Sequence, residues 1–102
     1  MTVNAAQEMI REVRAQHILV GSKEEALQIL DQIKKAEISF EEAAKKYSQC
    51  PSKARGGDLG YFGRGMMVQE FKDVAFATPA GEISAPVQTQ FGWHLIKILD
   101  QR

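Results

Sequence analysis

From Val13 to Val20 the side chains alternate, with Val13, Ala15, His17 and Leu19 on one side of an extended chain. That pattern predicts a strand, and Gly21 ends it. Ser22-Lys23-Glu24-Glu25 then has the Ser-x-x-Glu form of a capping box, in which the serine hydroxyl takes a first-turn amide. Ala26, Ile29, Leu30 and Ile33 follow at helical spacing, so an amphipathic helix is predicted as far as about Lys35. A second box, Ser39 to Glu42, opens a short helix with Phe40, Ala43, Ala44 and Tyr47 on one stripe. Lys34, Lys35, Lys45 and Lys46 stand near the two C-termini, where cations suit the helix dipole.

The texture changes at Cys50. Between it and Gly65 lie five glycines, with Asp58-Leu59-Gly60-Tyr61-Phe62 predicted as a short strand. Val68 to Phe76 reads as a helix with Phe71, Val74 and Ala75 inward, stopped by Thr78-Pro79. Ile83 to Thr89 and Trp93 to Leu99 read as two strands around a turn at Gln90-Phe91-Gly92. Pro86 cannot donate to a ladder, which puts its strand at an edge or at a bulge. In the last strand His94, Ile96 and Ile98 share one face while Trp93, Leu95 and Leu99 share the other, so both faces are expected to be covered. Thr2 to Glu12 is read either as a short helix capped by Asn4 and carrying Ala5, Met9 and Ile10, or as a tail.

Composition narrows the class. A chain of 102 residues is one domain with one core. Its 13 basic and 13 acidic side chains cancel, which removes the usual footprint of a nucleic-acid binder. One Cys cannot form an internal disulfide. No apolar run approaches the roughly 18 residues of a membrane span. Gln7, Glu8 and Arg11 interrupt the start, so it lacks a secretory signal's apolar stretch. A cytoplasmic setting is the default expectation, although a domain excised from a longer exported protein would look the same.

Three rare side chains remain for chemistry: His17, Cys50 and His94. Each histidine sits in an apolar strand, where a buried ring needs hydrogen-bond partners. If their strands are adjacent, the two can bond to each other or through Thr89. Cys50 is a small buried hydrophobe, a nucleophile paired with a histidine, or a thiol placed for its polarity. From its neighbours alone it has no helix-start feature to lower its pKa. Met66, Met67 and Phe71 form core, or line a shallow apolar pocket beside Gly65. Arg55 and Arg64 read as solvated surface charges. His17, His94, Cys50 and Asp58 could be assembled into a metal site, but no close-spaced ligand pair anchors one. Gly56-Gly57-Asp58-Leu59-Gly60 fits neither a P-loop nor a dinucleotide fingerprint.

Taken in order, these pieces resemble a known family. They are His17-Ile18-Leu19-Val20; Cys50-Pro51-Ser52 leading to Arg55-Gly56-Gly57-Asp58-Leu59-Gly60; Gly65-Met66-Met67-Val68-Gln69-Glu70-Phe71 with Ala75-Phe76; Gly81-Glu82-Ile83-Ser84-Ala85-Pro86-Val87; and Thr89-Gln90-Phe91-Gly92-Trp93-His94-Leu95-Ile96. The set is similar to the parvulin peptidyl-prolyl cis/trans isomerases, in their small single-domain bacterial form. The resemblance covers about Val13 to Gln101. It implies an α+β, FKBP-like fold: a four-stranded antiparallel sheet flanked by about four helices, in the order β-α-α-α-β-α-β-β. The extra short helix would lie near Pro51 to Ala54. Residues 13–102 would be the isomerase domain and residues 1–12 an extension.

The resemblance also implies roles. His17 and His94 would be the paired central histidines with Thr89 in their network, and Cys50 would take the family's Cys-or-Asp position. Leu59, Met67 and Phe71 would form the proline pocket, with Phe91 at its rim. The implied activity is X–Pro bond rotation without covalent chemistry, cofactor or metal. Expected partners are proline-containing peptides and unfolded or partly folded proteins, met by a monomer that uses neither nucleic acid nor membrane. The phosphate-directed branch carries a basic cluster after the first strand. Here that loop is Gly21-Ser22-Lys23-Glu24-Glu25, so no phosphoserine preference is expected. The rival readings are a peptide-binding or chaperone module without turnover, and a cysteine hydrolase using Cys50 with a histidine.

Overall fold

The computed structural model describes residues 9–102. The reading of residues 1–8, including the Asn4 cap, lies outside them. Among the described residues the chain runs β1 (Glu12–Val20), α1 (Lys23–Lys34), α2 (Phe40–Tyr47), a 3₁₀ turn (Pro51–Arg55), β2 (Asp58–Gly63), α3 (Gln69–Ala77), β3 (Val87–Thr89) and β4 (Gly92–Gln101). The strands form one antiparallel sheet in the order β2-β1-β4-β3. The first and last strands are therefore the central neighbours, with His17 paired to Ile96 and Leu19 to His94.

The local signals act as expected. Ser22 Oγ accepts from the Glu25 amide at 3.2 Å and Ser39 Oγ from the Glu42 amide at 3.0 Å, each satisfying one otherwise orphaned first-turn donor. α1 and α2 bury Ala26, Ile29, Leu30, Phe40, Ala43 and Ala44 against Ile18, Val20 and Leu95 on one face of the sheet. On the other face Val13, Ala15, Ile96 and Ile98 pack with Phe62 and with Phe71, Ala75 and Phe76 of α3. Period-two alternation in β1 and β4 thus feeds two cores from the same strands.

In detail the structure departs from or narrows the sequence expectations. The third helix is a five-residue 3₁₀ turn. It begins directly after Cys50, which therefore does precede a helical turn. The strand expected from Ile83 is only three residues long, Val87–Thr89. Before Pro86 the pairing with β4 survives in pieces: the Ser84 amide donates to the Ile96 carbonyl, and Ser84 Oγ accepts from the Ile96 amide. A hydroxyl there does the work of a backbone carbonyl. Met9 to Arg11 are not helical.

β2 accompanies β1 only as far as the pairing of Gln16 with Asp58. Beyond that the 48–57 segment takes over the edge of β1. The His17 amide donates to the Gly57 carbonyl (3.0 Å) and the Gln49 amide to the Leu19 carbonyl (2.8 Å). The Leu19 amide donates to Ser48 Oγ at 3.0 Å. Gly57 makes this possible. Its φ is +86°, and a Cβ there would sit 2.4 Å from the His17 carbonyl oxygen, too close for any other residue. The segment carrying Cys50 and Ser52 is thereby held beside His17.

Candidate functional site

His17 projects from β1 and His94 from β4 on the α3 side, and both rings are buried, at 5% and 4% exposed. The rings stack, with centroids 5.3 Å apart and planes 17° from parallel. Their Nδ1 atoms lie 3.1 Å apart. His94 Nε2 lies 2.8 Å from Thr89 Oγ1, and His17 Nε2 lies 3.1 Å from Ser52 Oγ. All four ring nitrogens are therefore engaged, in one line from Ser52 through the two rings to Thr89. Thr89 Oγ1 also accepts from the Phe91 amide at 3.1 Å.

Burial disfavours charge on these rings. It pushes both histidines down from their ordinary value to about 4, with the charge of His94 adding to the effect on His17. The pair is neutral at pH 7. The bond between the two Nδ1 atoms then requires a proton on one of them and a lone pair on the other.

The pair forms the floor of a cleft of about 520 Å³. Leu19, Gln49, Cys50, Pro51, Leu59, Met66, Met67, Val68, Phe71 and Phe91 line the rest. None of these carries an ionised side chain. Phe71 meets both imidazoles edge-on, with centroids 5.6 Å from His17 and 5.2 Å from His94. Met66 and Phe91 stand at the mouth, 70% and 62% exposed. Cys50 is half-buried in the wall. Its amide donates to Ser48 Oγ at 3.3 Å, the same oxygen that holds the Leu19 amide.

Every site residue expected from the sequence thus borders this one cleft or the histidine line: His17, Cys50, Thr89 and His94, with Leu59, Met67, Phe71 and Phe91. Asp58, a conceivable metal ligand, is instead paired with Arg14 at 2.6 Å. Ser52 was not anticipated as a partner. A donor–acceptor count could have found it, because two buried histidines have four ring nitrogens. Their mutual bond and Thr89 occupy three. Ser48 and Gln49 were missed because backbone bonding from a loop leaves no periodic signal.

Comparison with known proteins identifies the arrangement. The sequence model for "Rotamase: PPIC-type PPIASE domain" matches residues 3–100. The chain belongs to this family, the parvulin-type peptidyl-prolyl isomerase domains. Among its relatives, the foldase protein PrsA of a Geobacillus species is 47% identical over 90 residues, covering 87% of this chain and 32% of that protein. The crystal structure of PrsA from Bacillus anthracis superimposes with a TM-score of 0.86 at 44% identity, covering 91% of this chain and 43% of that one. The solution structure of NmPin, the parvulin of Nitrosopumilus maritimus, superimposes with a TM-score of 0.79 at 40% identity, covering 88% of this chain and 97% of that one. The chain spans about a third of the length of the PrsA relatives it matches. Its parvulin-type fold is the expected four-stranded sheet, with three α-helices and the 3₁₀ turn.

Proposed function

We propose that the chain catalyses cis/trans rotation of X–Pro bonds in peptides and in unfolded or partly folded proteins, by a non-covalent route. The observation that carries this reading is a cleft without ionised walls above two histidines whose four nitrogens are already taken. No ring nitrogen is left to activate the Cys50 thiol, so a cysteine hydrolase has no base. None is left to shuttle protons to a substrate either.

Amide rotation needs neither. The barrier is about 18–20 kcal/mol and comes from resonance, while the X–Pro isomers differ by only about 0.5–1 kcal/mol. No bond breaks, and catalysis amounts to holding the twisted amide better than either planar one. A planar amide carries more charge separation than a twisted one, so an apolar, uncharged cleft disfavours the planar forms more. In this reading Leu59, Met67 and Phe71 hold the pyrrolidine ring while the preceding carbonyl swings past Cys50, a weakly solvating neighbour. His17 and His94 keep the floor neutral and rigid, and Phe91 borders the entrance. Neither cofactor nor metal has a step to perform. In this reading residues 13–102 are the isomerase unit and hold every cleft residue, from His17 to His94, while of the preceding residues 1–12 Glu12 already pairs with Gly63 as the start of β1.

In this reading the unit has no preference for phosphoserine before proline. Phosphate recognition needs several placed cations. Lys23, the cation at the start of α1, stands over Trp93 at 5.7 Å, and Trp93 packs against the α1–α2 core on the far side of the sheet. Exchange NMR on short X–Pro peptides, with X as Leu, Ala, Glu or phosphoserine, tests the whole reading. Leu and Ala peptides should be accelerated most. Acceleration of none would leave a binding module without turnover, and fastest turnover of phosphoserine would overturn the specificity.

A further inference from the structure

Gln49 differs from the other residues of the cleft. Their side chains are apolar, save the Cys50 thiol and the two histidines, whose ring nitrogens already have partners. Gln49 is exposed, and its carboxamide has no hydrogen-bond partner among the described residues. It therefore brings free N–H donors and a free carbonyl acceptor to the wall. We propose that Gln49 is the specificity-determining residue for X: its side chain borders the subsite that receives the residue before proline, and its neutrality lets that subsite take acidic and basic side chains alike. The assignment rests on the isomerase reading above.

Its position along β1 puts it there. The Gly57 carbonyl accepts from the His17 amide at 3.0 Å, and the Gln49 amide donates to the Leu19 carbonyl at 2.8 Å. Gln49 thus stands two residues further along β1 than His17, a step of about 6–7 Å. Phe71 of the proline pocket meets the His17 ring edge-on. Leu59 follows Asp58, whose partner in β1 is Gln16. The proline pocket is therefore at the His17 end of the cleft and Gln49 at the Leu19 end, next in the chain to Cys50. In the isomerase reading the carbonyl of X swings past Cys50. The side chain of X leaves the chain one atom from that carbonyl, and so falls beside Gln49.

The end of β1 leaves room for a long side chain. A Cβ added at Gly21 would meet nothing closer than Gln49 Nε2, at 3.8 Å, so the carboxamide lies beside an open glycine. Lys23, two residues on, is turned to Trp93 at 5.7 Å. A carboxamide bonds a carboxylate through its N–H groups and an ammonium through its oxygen. Neither sign of charge on X is rejected, and a fixed charge at position 49 would break that evenness.

Exchange NMR on the full chain, with peptides in which X is Leu, Glu or Lys, tests the assignment. In the wild-type protein kcat/KM for Glu–Pro and Lys–Pro peptides should agree within about threefold, the scale of one partly exposed charge contact. In Gln49→Lys the Glu-to-Lys ratio should rise about tenfold, and in Gln49→Glu it should fall about tenfold, since attraction of one peptide and repulsion of the other each count about threefold. Both variants alter an exposed side chain and keep the backbone bonds, so they should fold. A second peptide series carries Glu or Lys after the proline instead, and its ratio should move by less than about threefold. Equal shifts in the two series would mean a general field rather than a subsite, and would overturn the proposal. Ratios that stay put in both variants, or a wild-type protein that separates Glu from Lys by more than about threefold, would overturn it too. Peptide Kd values from NMR titration give the same ratios without turnover. Absence of Leu–Pro turnover in the wild-type protein would thus overturn the isomerase reading alone, while the binding ratios still decide the role of Gln49.

Discussion

β1 and β4 supply the two faces of the sheet centre, and the faces bury different chemistry. Beneath α1 and α2 the strands present Ile18, Val20 and Leu95 to helical alanines, Ile29, Leu30 and Phe40. Beneath α3 they present Val13, Ala15, Ile96 and Ile98, and among these also His17 and His94. The first face is closed and apolar apart from Gln16, which is 4% exposed and whose amide nitrogen donates to Glu41 of α2 at 3.4 Å. The second is interrupted by a polar line that needs hydroxyls at both ends, and it opens into the cleft. One pair of strands therefore separates stability from function by side-chain parity alone: shifting either strand by one residue would exchange the two.

The comparison is broken most severely by truncating one large side chain on each face. Leu95→Ala should cost about 2–5 kcal/mol and Phe71→Ala about 3–5 kcal/mol in denaturant unfolding. Leu95→Ala should leave kcat/KM of the folded protein unchanged. Phe71→Ala should also lower it about tenfold, the equivalent of losing an apolar contact of about 1.4 kcal/mol. Equal activity losses would mean that the faces are not separable.

Between about pH 6.5 and 4, acid should weaken the histidine face. The folded rings have pKa values of about 4, against about 6.5 for unfolded histidine. Between those limits the unfolded chain binds more protons, so stability rises with pH. It is complete above pH 6.5, falls as pH drops toward 4, and changes no further through these groups below that. The loss should approach about 3 kcal/mol per ring, measured as unfolding free energy against pH. His94→Leu should flatten that slope.

His94→Leu should itself cost about 1–3 kcal/mol, because it strands His17 Nδ1 in a buried site and leaves Thr89 Oγ1 with only the Phe91 amide. Stability should fall at least as much as the isomerisation rate when both are put on an energy scale. A rate loss with full stability would give the ring a role in chemistry that its occupied nitrogens deny. The smallest effect belongs to Cys50→Ser, which should keep kcat within about threefold, about 0.6 kcal/mol. A dead but folded Cys50→Ser protein would restore the thiol as nucleophile.

Much of this was legible from local pattern. The two serine caps, the helical stripes and the parity of both central strands are short-range features, and they placed His17 and His94 on a buried face before the sheet order was known. Pro86 marked the edge strand, because a missing N–H is a property of the residue itself. What stayed hidden depends on contacts distant in sequence. Ser52 meets His17 across 35 positions, and no periodicity announces a hydroxyl that answers a ring nitrogen. The need for Gly57 arises from the carbonyl of His17, not from its own turn. β3 proved short because Ser84 substitutes its hydroxyl for a ladder carbonyl, a choice that only the packed sheet reveals. The cleft's pocket residues were found through family resemblance, since an exposed Met or Phe looks the same whether it lines a site or covers a core.

The central claim is that a neutral histidine floor beneath an uncharged cleft turns X–Pro bonds without proton transfer. The rate of Leu–Pro peptide isomerisation, followed by exchange NMR from pH 5.5 to 8 on folded protein, tests it most directly. The account predicts acceleration with kcat/KM independent of pH across that range, since both rings stay neutral throughout. No acceleration, or a rate that rises or falls through a midpoint near 6.5, would contradict it.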